Sequence, residues 1–170
     1  MEHKSENKKW FAVYTKSRAE KKVFELLTEK GIETYLPLQK QLKQWSDRKK
    51  WVEEPLFRSY IFVKIIDGDF IEVQKTQGVV CFITFEREKV SIPENQIEAV
   101  KKLLENNIDL ELTSEEFNIN DSVKIISGKL TGLQGKLVEY KGKKKVLIQV
   151  DSIAQGLLIN VPLVSLQKIT

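Results

Sequence analysis

Residues 60–66 read Tyr-Ile-Phe-Val-Lys-Ile-Ile, and no other stretch restricts the fold so tightly. Aromatic and β-branched side chains at this density favour a strand. In a strand Tyr60 and Phe62 share one face, while Ile61 and Val63 share the other. Both faces are then apolar, so a sheet built around this strand needs a cover on each side.

The flanking sequence supplies candidates for that sheet and its covers. Trp10–Tyr14 (WFAVY) reads as a second strand. Ser17 and Glu20 form an S-x-x-E capping box and predict a helix start there. Val23, Phe24, Leu26 and Leu27 give that helix an apolar face, and Gly31 is its natural stop. Arg18, Lys21 and Lys22 fall on its polar side, with Arg18 and Lys22 spaced i,i+4. Thr34 to Gln44 is extended, because Pro37 bars a regular helix. Residues 45–53 form a polar hairpin that turns at Ser46, Asp47 and Arg48, between Trp45 and Trp51.

Asp69 to Gln77 suits a short helix ended by Gly78, followed by a strand over Val79–Phe85. Cys81 lies in the apolar run Val79 to Ile83 and is expected to be a buried small hydrophobe. Pro93 opens another helix, whose stripe is Ile97, Val100, Leu103 and Leu104; Asn106-Asn107 close it. The order β-α-β-β-β-α-β-α predicts a two-layer α+β sandwich with a mostly antiparallel sheet.

Residues 108–116 are acidic and non-periodic and read as a connector. Beyond Phe117 come strand-like pieces at 122–127, 133–140, 144–150, 156–161 and 163–168. Five short strands in about fifty residues predict a small five-stranded β-barrel. The expected domains are therefore 8–107 and 117–170, joined by 108–116.

Composition narrows the function. With one Cys and one His, an internal disulfide is impossible, and no His/Cys zinc set exists. A catalytic Cys–His or Ser–His pair would need His3, in a polar N-terminal stretch. There is no phosphate loop of the G-x-x-x-x-G-K-[ST] type. The expectation is a non-enzyme without cofactor or metal. The N-terminal MEHKSENKKW has no signal-like apolar stretch, and no apolar run approaches the ~18–20 residues of a membrane span. A cytoplasmic monomer that avoids membranes is expected. Charge is uneven: residues 1–54 carry 13 Lys/Arg against 9 Asp/Glu, residues 86–116 carry 4 against 9, and residues 117–170 carry 8 against 3. Two basic blocks flank an acidic one, and basic blocks suit either a phosphate backbone or a solvated face.

In both halves the sequence resembles the NusG family of transcription elongation factors. The first half resembles its NGN domain through WFAVY, a Lys-containing loop, Glu20 and Val23, YLP at Tyr35–Pro37, EPLFRSYIFVKI at Glu54–Ile65, and the segment from Gly78 to Ile83. The second half resembles a KOW barrel through VKIISGKLTGLQGKLVE at 123–139, where Gly128, Gly132 and Gly135 match the motif glycines. Those glycines are expected to permit positive φ at tight turns. The likeness spans about residues 9–170. The pattern PLF-x-x-Y-x-F-V is similar to the specialised RfaH-like paralogues, which keep RNA polymerase moving through long operons, often those for surface polysaccharides. Arg58 departs from the family pattern, which usually has Pro there.

The resemblance implies roles. Tyr14, Tyr60, Phe62 and Phe85 would line the face that sits on the RNA polymerase clamp, although core packing explains the same residues. Lys16, Arg18, Lys21 and Lys22, with Lys75, Thr76 and Gln77, would meet the non-template DNA strand. Lys129, Leu130 and Leu133 would dock a ribosomal protein or a termination factor. The competing reading is an RNA-binding or ribosome-associated protein that uses an aromatic sheet face. For residues 117–170 the β-branched density and the glycines favour strands over a helical hairpin.

Overall fold

The computed structural model describes residues 7–117 and 121–169. His3 and the start of the expected second domain at 118–120 lie outside them. The chain divides into two compact units, Met1–Glu94 and Asn95–Thr170.

In the first unit β1 (Lys9–Thr15) is followed by α1 (Glu20–Glu29), β2 (Glu33–Tyr35), β3 (Leu38–Gln44), β4 (Lys49–Pro55) and β5 (Tyr60–Ile65). Then come α2 (Phe70–Gln74), β6 (Val79–Phe82), β7 (Thr84–Phe85), β8 (Glu88–Lys89) and β9 (Ser91–Ile92). The main sheet runs β2-β5-β1-β6, with β9 also paired to β1, and these pairings are antiparallel. β3 and β4 form a separate ribbon, and β7 and β8 a small hairpin.

The odd-numbered face of the sheet carries the core. Phe11, Val13, Ile61, Val63 and Ile65 pack with Val23 and Leu27 of α1, Val73 of α2, and Phe82. Val23 and Leu27 stand one turn apart on α1, so both point at the sheet. Burying each such side chain contributes about 1.5–3 kcal/mol. Phe11, Phe70 and Phe82 meet edge to face, at 5.0 to 6.4 Å between ring centroids.

The helix start differs from the expected capping box. α1 begins at Glu20, and its N-cap, Ala19, offers no side-chain bond. Glu20 instead accepts the Ser59 N–H at 2.7 Å, so the distant loop takes the carboxylate that Ser17 was expected to use. Arg18 lies ahead of the helix with φ +62°, and therefore does not share a helix face with Lys22.

The second unit holds most of α3 (Glu94–Glu105), then β10 (Leu110–Thr113), β11 (Ser122–Ile125), β12 (Gln134–Tyr140), β13 (Lys143–Val150), β14 (Gln155–Ile159) and β15 (Leu166–Lys168). They form one six-stranded sheet ordered β10-β14-β13-β12-β11-β15. Two expectations are corrected here. The segment read as a connector contains β10, paired with β14 from Leu110↔Ile159 to Thr113↔Gly156. No closed five-stranded barrel is seen among the described residues, since the sheet ends at β10 and β15. Within this unit Gln96 and Asp151 exchange two hydrogen bonds, at 2.8 and 3.3 Å, and Lys102 donates to the Thr131 carbonyl.

The motif glycines divide by physical role. Gly132 has φ +93°, as a tight turn requires. Gly135 does not have positive φ; a Cβ there would lie 2.7 Å from the Leu147 carbonyl oxygen, so it serves the close approach of β12 to β13.

Candidate functional site

Three segments meet at one end of the first unit's sheet. Thr15 at the end of β1 donates its N–H to the Ser59 carbonyl at 2.8 Å, and Lys16 donates its own to the Gly78 carbonyl at 2.8 Å. These two bonds bring together the β1–α1 loop, the entry to β5 and the Gln77–Gly78 turn. Tyr14 and Tyr60 thus stand beside Lys16 and the Gln77–Gly78 turn, although these come from distant stretches of sequence.

On the even-numbered face Tyr14 and Tyr60 are cross-strand partners, and their rings meet at 5.5 Å and 64°. Tyr14 is 39% exposed and Tyr60 half-buried. A partly exposed aromatic pair on one sheet face fits a partner surface. Phe62 is different. It is fully buried, stacked against Tyr35 at 6.4 Å and met edge-on by Phe57 at 6.0 Å. Phe85 is 70% exposed on the β7–β8 hairpin, whose turn residues Glu86 and Arg87 both have positive φ. Cys81, expected in the core, is exposed. It is paired with Tyr14 across β1 and β6 and so shares that residue's open face, while Phe82 beside it points into the core.

The basic candidates also sort by environment. Lys16, Arg18, Lys21, Lys22, Lys75 and Gln77 are exposed. Lys21 donates to the Glu53 carbonyl at 2.7 Å, and Lys22 pairs with Glu25 at 3.6 Å. Thr76 is buried; its hydroxyl donates to the Glu72 carbonyl at 2.9 Å and accepts from Lys30 at 3.1 Å. That hydroxyl pins α2 to α1 and is turned away from solvent. The Lys30 ammonium also pairs with Glu72 at 2.8 Å, and its hydrogen bond holds the Glu72 carboxyl below the usual range.

In the second unit Lys129 is exposed, while Leu130 and Leu133 are buried, so the loop does not display two leucines. Ile126, Leu163 and Val164 are the exposed apolar side chains beside it. The Ile126 N–H bonds the Ser165 carbonyl at 2.9 Å, and the Ser127 and Ser165 hydroxyls lie 2.7 Å apart. Sequence reasoning missed this group, whose signal was the apolar pair Leu163-Val164 after Pro162.

Among the described residues no cluster of three or more His, Cys, Asp or Glu side chains could hold a metal ion. No helix among them is long and apolar enough to cross a membrane.

Comparison with known proteins completes the picture. A family model described as "NusG: Transcription termination factor nusG" matches residues 8–101. Among solved structures, one described as "Domain interaction in Thermotoga maritima NusG" is 22% identical with a TM-score of 0.53, covering 96% of this chain and 98% of that one. Another, "Crystal Structure of MjSpt4:Spt5 complex conformation A", is 18% identical with a TM-score of 0.30, covering 95% of this chain and 98% of that one. No curated protein gives a match.

Proposed function

The chain belongs to the NusG family, and from that premise we propose that it is a non-catalytic transcription elongation and antitermination factor acting on RNA polymerase. The observation that carries this reading is the partly exposed Tyr14–Tyr60 pair, which stands beside Lys16 and the Gln77–Gly78 turn at one end of the sheet, with Arg18, Lys22 and Lys75 exposed on the neighbouring loop and helices. The tyrosines, with Phe85, contact the polymerase clamp. Phe62, packed against Tyr35 and Phe57, belongs to the fold and not to the contact. The cations hold the exposed non-template DNA strand. Phosphate contacts of this kind position a protein without reading sequence.

A factor of this type performs no bond chemistry. It changes the balance of paused and active polymerase only by binding one state more tightly than the other. We place it with the RfaH-like paralogues that serve particular long operons, surface-polysaccharide operons among them. Residues 8–107 do the polymerase work in the cytoplasm, and residues 117–170 act as a KOW-type domain that recruits a second partner, a ribosomal protein or a termination factor. In that unit Lys129, with the exposed Ile126, Leu163 and Val164, supplies what the loop end presents. The buried Phe62 cannot stack a base, which disfavours the alternative of an RNA-binding sheet that uses Tyr60 and Phe62 together.

The test compares two complexes. Lys16→Glu with Arg18→Glu and Lys22→Glu should weaken binding to a polymerase elongation complex with an open DNA bubble, while binding to free polymerase changes little. Raising the salt should weaken the wild-type DNA contribution. Equal losses with and without DNA would contradict the assignment of these cations.

A further inference from the structure

A cleft in the first unit lies between the β3–β4 ribbon and the start of α1. It measures about 650 Å³ and is lined by Arg18, Lys21, Lys43, Trp45, Glu54 and Arg58, among others. That volume is in the range of small-ligand sites. Its walls come from the ribbon face that carries Lys43, Val52 and Glu54, and from the loops holding Arg18 and Arg58.

Most charges in the cleft are already committed. Glu20 is bound to the Ser59 N–H, Lys43 is paired with Glu54, and Lys21 donates to the Glu53 carbonyl. The Lys43 hydrogen bond holds the Glu54 carboxyl below its usual range. Two guanidiniums remain. Arg18 and Arg58 are exposed and hold no hydrogen bond or close ion pair among the described residues, although the Arg58 charge reaches the Glu54 carboxyl and helps to hold it low. Trp45 completes the set. Its backbone N–H closes the ribbon turn on the Arg48 carbonyl at 2.7 Å, and its ring is 54% exposed at the cleft edge. An exposed guanidinium at Arg18, a second at Arg58 near Glu54, and an exposed indole, beside a ribbon that also carries Arg48, Lys49 and Lys50, suit one chemistry. Guanidinium forks take phosphate, and an indole stacks a base without regard to sequence.

We propose that this cleft is a nucleotide-binding subsite for single-stranded DNA, with Trp45 stacking a base and Arg18 and Arg58 holding its flanking phosphates. This rests on the reading of Lys16, Arg18 and Lys22 as DNA contacts and extends that track from α1 onto the ribbon. Arg58, which stands where the family pattern usually has Pro, gives this chain a cation at the cleft that a proline could not supply.

The test uses the full chain and a labelled oligothymidylate of about 10 nucleotides, titrated at low salt. Trp45→Ala and Arg58→Ala should each weaken binding about tenfold, with unchanged thermal melting. Trp45→Phe should retain most of the affinity, because the ring rather than the indole N–H makes the contact. In a Trp51→Phe background, where only Trp45 and the buried Trp10 emit, the oligonucleotide should quench the emission, and adding Trp45→Phe should abolish that quenching. Wild-type affinity in both alanine variants, without quenching, overturns the subsite. If Lys16→Glu with Lys22→Glu still abolishes binding in that case, the broader DNA reading stands without the cleft. If the wild type does not bind at all, both readings fall. Tighter binding of an oligouridylate of the same length overturns the assignment to DNA.

Discussion

The Glu20 carboxylate accepts the Ser59 backbone N–H at 2.7 Å and ties the first turn of α1 to the entry of β5. Ser59 is held from its other side as well, because its carbonyl accepts the Thr15 N–H at 2.8 Å. Ser59 has φ +65°, a conformation that a serine adopts at a cost and that these two bonds fix. Tyr60 follows directly, so the position of the Tyr14–Tyr60 pair depends on this clamp.

Removing the clamp should therefore be costly. A charge-assisted bond from a buried carboxylate is worth about 1.5–3 kcal/mol, and Glu20→Ala should lower stability by about 2 kcal/mol in urea unfolding. Glu20→Gln keeps an acceptor oxygen and should lose less. A loss for Glu20→Ala below about 0.5 kcal/mol, the range of an ordinary surface change, would contradict the clamp.

In the second unit Gly132 and Gly135, two of the three motif glycines, should respond differently to alanine. Gly135→Ala drives a Cβ to 2.7 Å from the Leu147 carbonyl oxygen, and the β12–β13 backbone must shift, at about 1–3 kcal/mol. Gly132→Ala meets open space and bears only the left-handed backbone cost, about 1–2 kcal/mol. Amide chemical shifts separate the two mechanisms. Gly135→Ala should perturb β13 around Leu147, and Gly132→Ala should perturb only its own turn.

Glu111 on β10 accepts from Lys145 at 3.1 Å and from Lys141 at 3.2 Å, and the Lys145 bond chiefly holds its carboxyl below the usual 4.5. A carboxyl lowered in the folded state stabilises fully above its unfolded value and loses that contribution as pH falls through the folded one. Melting temperature followed downward from about pH 5 should therefore drop more steeply for the wild type than for Glu111→Gln. Parallel curves would show that these pairs do not bind β10 to the sheet.

What the sequence made legible follows from the range of the interactions. α3 was readable because its apolar stripe and the preceding Pro93 are local signals. The β3–β4 ribbon was readable from its turn residues in the same way. The true start of α1 was not, because the partner of Glu20 lies 39 residues away. β10 was missed for a similar reason. Leu110 and Leu112 do alternate with Glu111, but the run is short and acidic, and only its pairing with β14 makes it a strand. Cys81 was misread because an apolar run looks the same whether one of its faces is open or both are covered. Tyr60 and Phe62 are two residues apart on one face; that one is half-buried and the other fully buried depends on Phe57 and Tyr35, which period-two reasoning does not see.

That difference separates a binding surface from a core. Phe62→Ala empties a fully buried site and should cost about 3–5 kcal/mol of stability, with the unfolding transition moving accordingly. Tyr14→Ala leaves a side chain that was already 39% exposed and should shift the melting transition far less. Equal destabilisation by the two variants would make Tyr14 a core residue.

If the Tyr14–Tyr60 pair makes the polymerase contact, its loss must lower the affinity of the purified chain for purified RNA polymerase. The wild type should bind, and Tyr14→Ala with Tyr60→Ala should bind at least about 30-fold more weakly while remaining folded, as loss of an aromatic hot spot worth about 2 kcal/mol requires. A folded double variant that binds as tightly as the wild type, or a wild type that does not bind polymerase, would contradict the account.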